Sequence, residues 1–171
     1  MTALWTRLRN RRRSDLGRAA QVAVVLASSG SPISETAIDR ASSLADGGAT
    51  AVVSIARVHG SAFGLPNPGL LPTRREREEQ RAIVAAAIEG LAHRHLEADG
   101  HVIVTRNAGL AIARLARARG ASHVVLQASP QGRFRRLLEG DPARALRRGL
   151  GPHVALVLVT RQTESVHPNL A

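Results

Sequence analysis

Two glycines, three arginines and a helix start carry the chemistry that this sequence offers most openly. In LQASPQGRFRRLLEGDPARAL, residues 126–146, Gly132 and Gly140 flank Arg133, Arg135 and Arg136, and Asp141-Pro142 opens a helix. Glycines let backbone N–H groups close around an anion, and guanidinium groups neutralise it, so the stretch reads as a phosphate-holding loop. A glutamine and a proline nevertheless stand where such a loop wants glycine, and Pro130 has no N–H and a fixed φ. A second short stretch, Ser28-Ser29-Gly30-Ser31, offers hydroxyl and backbone donors around one glycine.

Other chemistries are thinly represented. The chain has no cysteine, which excludes disulfides and thiolate metal sites. Of the seven histidines only His93 and His95 are close together. Two residues apart on a helix, they face different directions and make a poor metal clamp, so both are read as solvated. Neither loop supplies a convincing general base or magnesium carboxylate. Asp141 is the one acid within reach, and its better role is to cap the helix that follows it.

The elements around these loops alternate. QVAVVLA (21–27) is a β-branched strand, and Ser31-Pro32 marks a helix start before Ala37, Ile38, Ala41, Leu44 and Ala45 at helical spacing, stopped by Asp46-Gly47-Gly48. TAVVSIARVH (50–59) is a second strand. The Gly- and Pro-rich 60–72 forms a loop that could line the cleft, make a dimer contact, or be a packed crossover. Thr73 and Glu76 form a capping box for a long helix with a stripe of Ile83, Val84, Ala87, Ile88 and Leu91. HVIVTR (101–106) is a third strand. Asn107 caps a helix with Leu110, Ala111, Ile112, Leu115 and Ala116 inward. SHVVLQ (122–127), a short helix from Asp141-Pro142 to Gly149, and HVALVLV (153–159) complete the order. Strands that are apolar on both faces and alternate with amphipathic helices specify a parallel sheet covered on both sides, a doubly wound five-stranded α/β sandwich. In such sheets ligands lie beyond the strands' carboxyl ends, which brings the loops after strands one and four into one cleft.

Composition bounds the rest. At 171 residues and 44% hydrophobic the chain is long enough for one core, but an aromatic share of 2% leaves that core to Ala, Val, Leu and Ile. The net charge of +11 comes from 24 arginines without a lysine. Six arginines lie in residues 1–18 and six in 131–150, a basic arm and a basic loop that could attract anionic membranes or nucleic acid. No stretch approaches the ~18 apolar residues of a membrane span. The basic start followed by AAQVAVVLA mimics an export signal, but Gln21 interrupts it and removal would delete the first strand, so a cytoplasmic protein is expected. The expected organisation is a basic arm (1–19), a domain (20–160) and a tail (161–171).

In order and local sequence, the chain resembles the universal stress protein family across about residues 20–160. The segment VVLASSGSPISETAIDRASSLA matches the family's first strand and helix, with Ser29-Gly30-Ser31 in place of Asp-Gly-Ser. Val58-His59, GASHVVLQ and the closing LRRGLGPHVALVLV also fit. Nucleotide-binding members carry Gly-x2-Gly-x9-Gly-Ser/Thr after strand four. Laid back from Gly140, that spacing falls on Gln127, Pro130, Gly140 and Asp141, so one of four positions agrees. Gln127 adds a side chain where base or ribose needs room, and Pro130 pushes Ser129 toward extended geometry. Asp141 competes with phosphate at a helix N-terminus, where two like charges ~4 Å apart repel by ~4 kcal/mol at an effective dielectric of ~20.

The resemblance implies a non-enzymatic regulatory or binding module of the stress response, homodimeric through the edge strand at 154–159, and not a strong ATP binder. One alternative is an ATP- or AMP-binding stress sensor using Ser28, Ser29, Gly30, Ser31, Gly132, Arg133 and Gly140. Another is association of the N-terminal arm with an anionic membrane or nucleic acid, for which LWTRLRNRRR places Leu4, Trp5 and Leu8 beside the four arginines up to Arg12.

Overall fold

The computed structural model describes residues 21–57, 72–128 and 142–160. The N-terminal arm, residues 58–71 with all but the last residue of the crossover loop, residues 129–141 and the C-terminal tail lie outside them. The described elements run β1 (Val24–Ser28), α1 (Glu35–Ala45), β2 (Thr50–Arg57), α2 (Arg74–Ala92), β3 (Ala98–Thr105), α3 (Ala108–Ala118), β4 (His123–Ala128), α4 (Pro142–Gly149) and β5 (Ala155–Thr160). The strands form one parallel sheet in the order β3-β2-β1-β4-β5. The chain winds outward from β1 to β3 and then returns to the other side of β1, so the order reverses between β1 and β4. This is the doubly wound α/β sandwich that the alternation specifies.

Two apolar layers hold it. Val25, Ala27, Ala51, Val53, Val124 and Leu126 point to one face, where Ile112, Ala113 and Ala116 of α3 and Leu146 of α4 cover them. Val24, Leu26, Val52 and Val125 point to the other, beneath Ala37, Ile38 and Ala41 of α1 and Val84, Ala87 and Leu91 of α2. The buried apolar residues described are Ala, Val, Leu and Ile only, as the low aromatic share requires. Complete burial of each Val, Leu or Ile contributes about 1.5–3 kcal/mol, so the double layer is the main source of stability.

Local chemistry sets most boundaries. Thr73 and Glu76 make the reciprocal capping box, with Thr73 N–H donating to Glu76 Oε2 at 2.7 Å and Glu76 N–H donating to Thr73 Oγ1 at 3.2 Å. Asn107 Oδ1 accepts from Leu110 N–H at 3.1 Å and starts α3. Asp46, in the left-handed region at φ 44°, ends α1. Strand β1 begins at Val24 and β5 at Ala155, later than the sequence reading, and two further differences have a clear physical cause. Helix α1 starts at Ser34, not Ser31, because Ser31 is engaged with Ser28 and the turn at Gly30 is not yet complete. Strand β3 begins at Ala98, three residues early, because Asp99 and Gly100 pair with Ala51 and Val52. Any side chain at Gly100 would run into Val84 and Ile88, so its role is to let α2 approach the sheet.

Candidate functional site

Three central strands carry polar residues at one level near their carboxyl ends. Register pairs Ser28 of β1 with Ser54 of β2 on one side and with Gln127 of β4 on the other. Each sits one same-face position beyond an apolar residue of the α1/α2 layer (Leu26, Val52 and Val125), so all three side chains turn toward α1 and α2. Ser28 and Ser54 are fully buried and Gln127 is 2% exposed. A buried polar group left unbonded costs about 1–3 kcal/mol, and each member of this row has a partner.

The partners tie down the loop after β1. Gln127 Oε1 accepts both the backbone N–H of Ser34, at 3.2 Å, and its hydroxyl, at 2.6 Å. The Ser34 hydroxyl oxygen in turn accepts from Ala37 N–H at 3.3 Å, so one serine caps α1 and joins it to β4 across the point where strand order reverses. Ser28 Oγ donates to the carbonyl of Ser31. From the other side, Ser54 Oγ donates to Gln80 Oε1 at 2.5 Å, and Gln80 Nε2 donates to the Gly30 carbonyl at 3.4 Å. Gly30 has φ 101°, and a Cβ there would stand 3.2 Å from the Ile55 carbonyl, so only glycine turns the loop this tightly. The loop is thus held at Gly30, Ser31 and Ser34. Every group in the described network is neutral, able to donate and accept hydrogen bonds but not to titrate near neutral pH.

Of the residues singled out in the sequence, Ser28, Ser29, Gly30, Ser31 and Gln127 come together at the carboxyl end of the central strands. Pro130, Gly132, Arg133, Gly140 and Asp141 lie outside the described residues. The sequence reading missed Ser34, Ser54 and Gln80. Gln80 had a signal: it falls four residues before Val84 on the stripe that continues through Ala87 and Leu91, so a polar residue sat on the buried side of α2.

A second polar cluster lies at the amino end of the sheet. Arg119, 9% exposed at the end of α3, donates to Asp99 Oδ2 of β3 at 2.5 Å. His101 Nε2 lies 3.4 Å from the same oxygen. Burial alone would raise the Asp99 carboxyl, but His101 and Arg119 outweigh it and hold the group below the usual carboxylate range. His93 and His95 are exposed, and among the described residues no group of three or more His, Asp or Glu could hold a metal ion.

Comparison with known proteins places this geometry in context. The model of the universal stress protein family matches residues 23–157. A universal stress protein from Archaeoglobus fulgidus superposes with a TM-score of 0.58 at 17% identity, covering 80% of this chain and 98% of that one. A member of the family from Burkholderia pseudomallei gives 0.56 at 19% identity, covering 82% and 98%. An Archaeoglobus fulgidus universal stress protein in complex with dAMP gives 0.55 at 17% identity, covering 81% and 99%. These likenesses are of fold. No curated protein matches the chain at a significant level.

Proposed function

The chain belongs to the universal stress protein family, and from that premise we propose that it is a non-enzymatic regulatory or binding module whose cleft has been remodelled away from strong ATP binding. Gln127 carries the reading. Its buried amide fills the end of β4 and takes up both donors of Ser34, so neither the space nor those donors are open to a ligand. The sequence that follows supports it, with Pro130 lacking an N–H and Asp141 carrying a negative charge at the motif position where nucleotide-binding members have Ser or Thr. Calorimetric titration of the nucleotide-free protein with ATP, with and without magnesium, should give no heat up to millimolar concentration. Micromolar binding that Gly140→Ala abolishes would overturn the proposal.

A second reading retains an adenine nucleotide at low affinity. It is supported by the relative described with dAMP and by the glycine turn at Gly30, which keeps backbone groups near the cleft. Titration with AMP and dAMP in place of ATP separates it from the first, because it predicts saturable heat from the monophosphates.

We further propose a homodimer through β5. This strand is an edge of the described sheet and Leu158 on it is 41% exposed, so pairing with a second copy would cover both its free backbone groups and its apolar side chains. Sedimentation should give twice the chain mass, reduced to the monomer in Leu158→Glu. No described helix is long and apolar enough to cross a membrane, and the proposed location is the cytoplasm.

A further inference from the structure

The fold converts a charge asymmetry along the chain into one between its faces. Residues 21–99 hold seven arginines and nine acids, whereas residues 100–160 hold ten arginines and only two acids, Glu139 and Asp141. Helices α1 and α2 come from the first stretch and cover one face of the sheet; α3 and α4 come from the second and lie side by side on the other. On the α1/α2 face arginines meet acids: Arg75 pairs with Glu79 at 3.1 Å, Arg81 with Glu78 at 2.6 Å, and Arg94 with both Glu35 and Asp39.

Helices α3 and α4 contain no acid at all. Arg106, Arg114, Arg117, Arg144, Arg147 and Arg148 are exposed on or beside them, and none forms an ion pair with a described residue. Asp99, which faces this layer from β3, is already held by the buried Arg119. Five exposed guanidinium groups on two touching helices, with Arg106 beside them and none paired to a described residue, raise the local potential and call for a polyanion.

The surroundings narrow the polyanion. A second copy would bring its own positive charge, since the chain carries +11. A lipid surface favours a face that also inserts apolar side chains, but the exposed large hydrophobics described, Val104 and Leu158, lie on the edge strands and not on these helices. A single strand would want aromatic platforms, and no aromatic residue lies among the described positions. A duplex presents a dense, regular array of phosphates that needs only forked cations arranged over a broad surface. We propose that the α3/α4 face binds the phosphate backbone of duplex nucleic acid without reading its sequence.

Fluorescence anisotropy of a labelled DNA duplex of about 20 base pairs, titrated with the full chain between about 50 and 200 mM salt, tests this. Six arginines with four to six of them on phosphates predict log K falling against log salt with a slope of about −4 to −5. Arg114→Gln/Arg117→Gln/Arg144→Gln/Arg147→Gln should weaken binding at low salt by tenfold or more and flatten the slope by about three. A control with the same change in net charge, Arg74→Gln/Arg75→Gln/Arg77→Gln/Arg81→Gln, should leave affinity within about threefold, because six acids share α1 and α2 with their five arginines. If the first variant does not fold, Arg117→Gln/Arg148→Gln should still flatten the slope by about two. Absence of binding at low salt overturns the proposal, as does equal loss in the test and control variants, or no loss in the test variant. Tighter binding to anionic-lipid vesicles than to the duplex, abolished by the same substitutions, reassigns the face to membranes and overturns it too.

Discussion

At the carboxyl end of the sheet, Ser54, Ser28 and Gln127 are neutral, nearly inaccessible and bonded to a loop and to α2. At the amino end, Asp99 and Arg119 are charged, and they bond an edge strand to the end of a helix. Both ends bury polar groups, but with different consequences. A neutral amide loses less hydration on burial than a carboxylate does, and it holds its geometry at any pH near neutrality. An ion pair is stronger in a low dielectric but costs more to desolvate, and its strength depends on protonation. The cleft end is therefore fixed in shape, and the far end is the one that responds to acid.

Substitutions can break this contrast at either end. Arg119→Met should have the largest effect, about 2–3 kcal/mol by denaturant unfolding at neutral pH, because it leaves the half-buried Asp99 carboxylate with only the His101 contact. Gln127→Leu should cost about 1–2 kcal/mol, since the Ser34 N–H and hydroxyl both lose their acceptor. In a double-mutant cycle, Gln127→Leu with Ser34→Ala should cost less than the sum of the two, with a coupling of about 1 kcal/mol. Additive losses would show that the loop is not held through this pair.

Acid titration sharpens the contrast with the smallest effect. The folded Asp99 carboxyl titrates below its unfolded value. It therefore contributes stability that is present above the unfolded pKa and lost as pH falls through the folded one. Asp99→Asn should flatten the stability curve on the acid side while leaving its shape near neutrality unchanged, and Gln127→Leu should shift the whole curve without altering its acid slope. Unfolding midpoints followed down from neutral pH check both.

Several elements were legible before the fold was in view. The capping box at Thr73 and Glu76, the Asn107 cap and the stop at Asp46 are local: each depends on residues three or four apart, so their chemistry is complete within one turn of chain. The apolar runs of β1, β2 and β4 announced strands covered on both faces. Ser34 was hidden because its role needs Gln127, ninety-three residues away, and Ser31-Pro32 offered a locally better cap. Gly100 was hidden for the same reason, because the contact that demands glycine comes from Val84 on another element. The charge separation of the two faces was present in the order of residues, yet it looked like a basic loop with its flanks until α3 and α4 were packed together.

The sequence by itself determined the alternation of elements, the composition of the core and which residues of a strand share a face. These follow from periodicity, which any short stretch of chain displays. Only the tertiary structure decided that Ser54, Ser28 and Gln127 stand in one row, that Gln80 and Gln127 hold the same loop from two sides, and that the two acid-free helices α3 and α4 lie together. Those relations depend on parallel register and on which helices are neighbours. Both are set by burying two faces of one sheet at once, and not by any local preference.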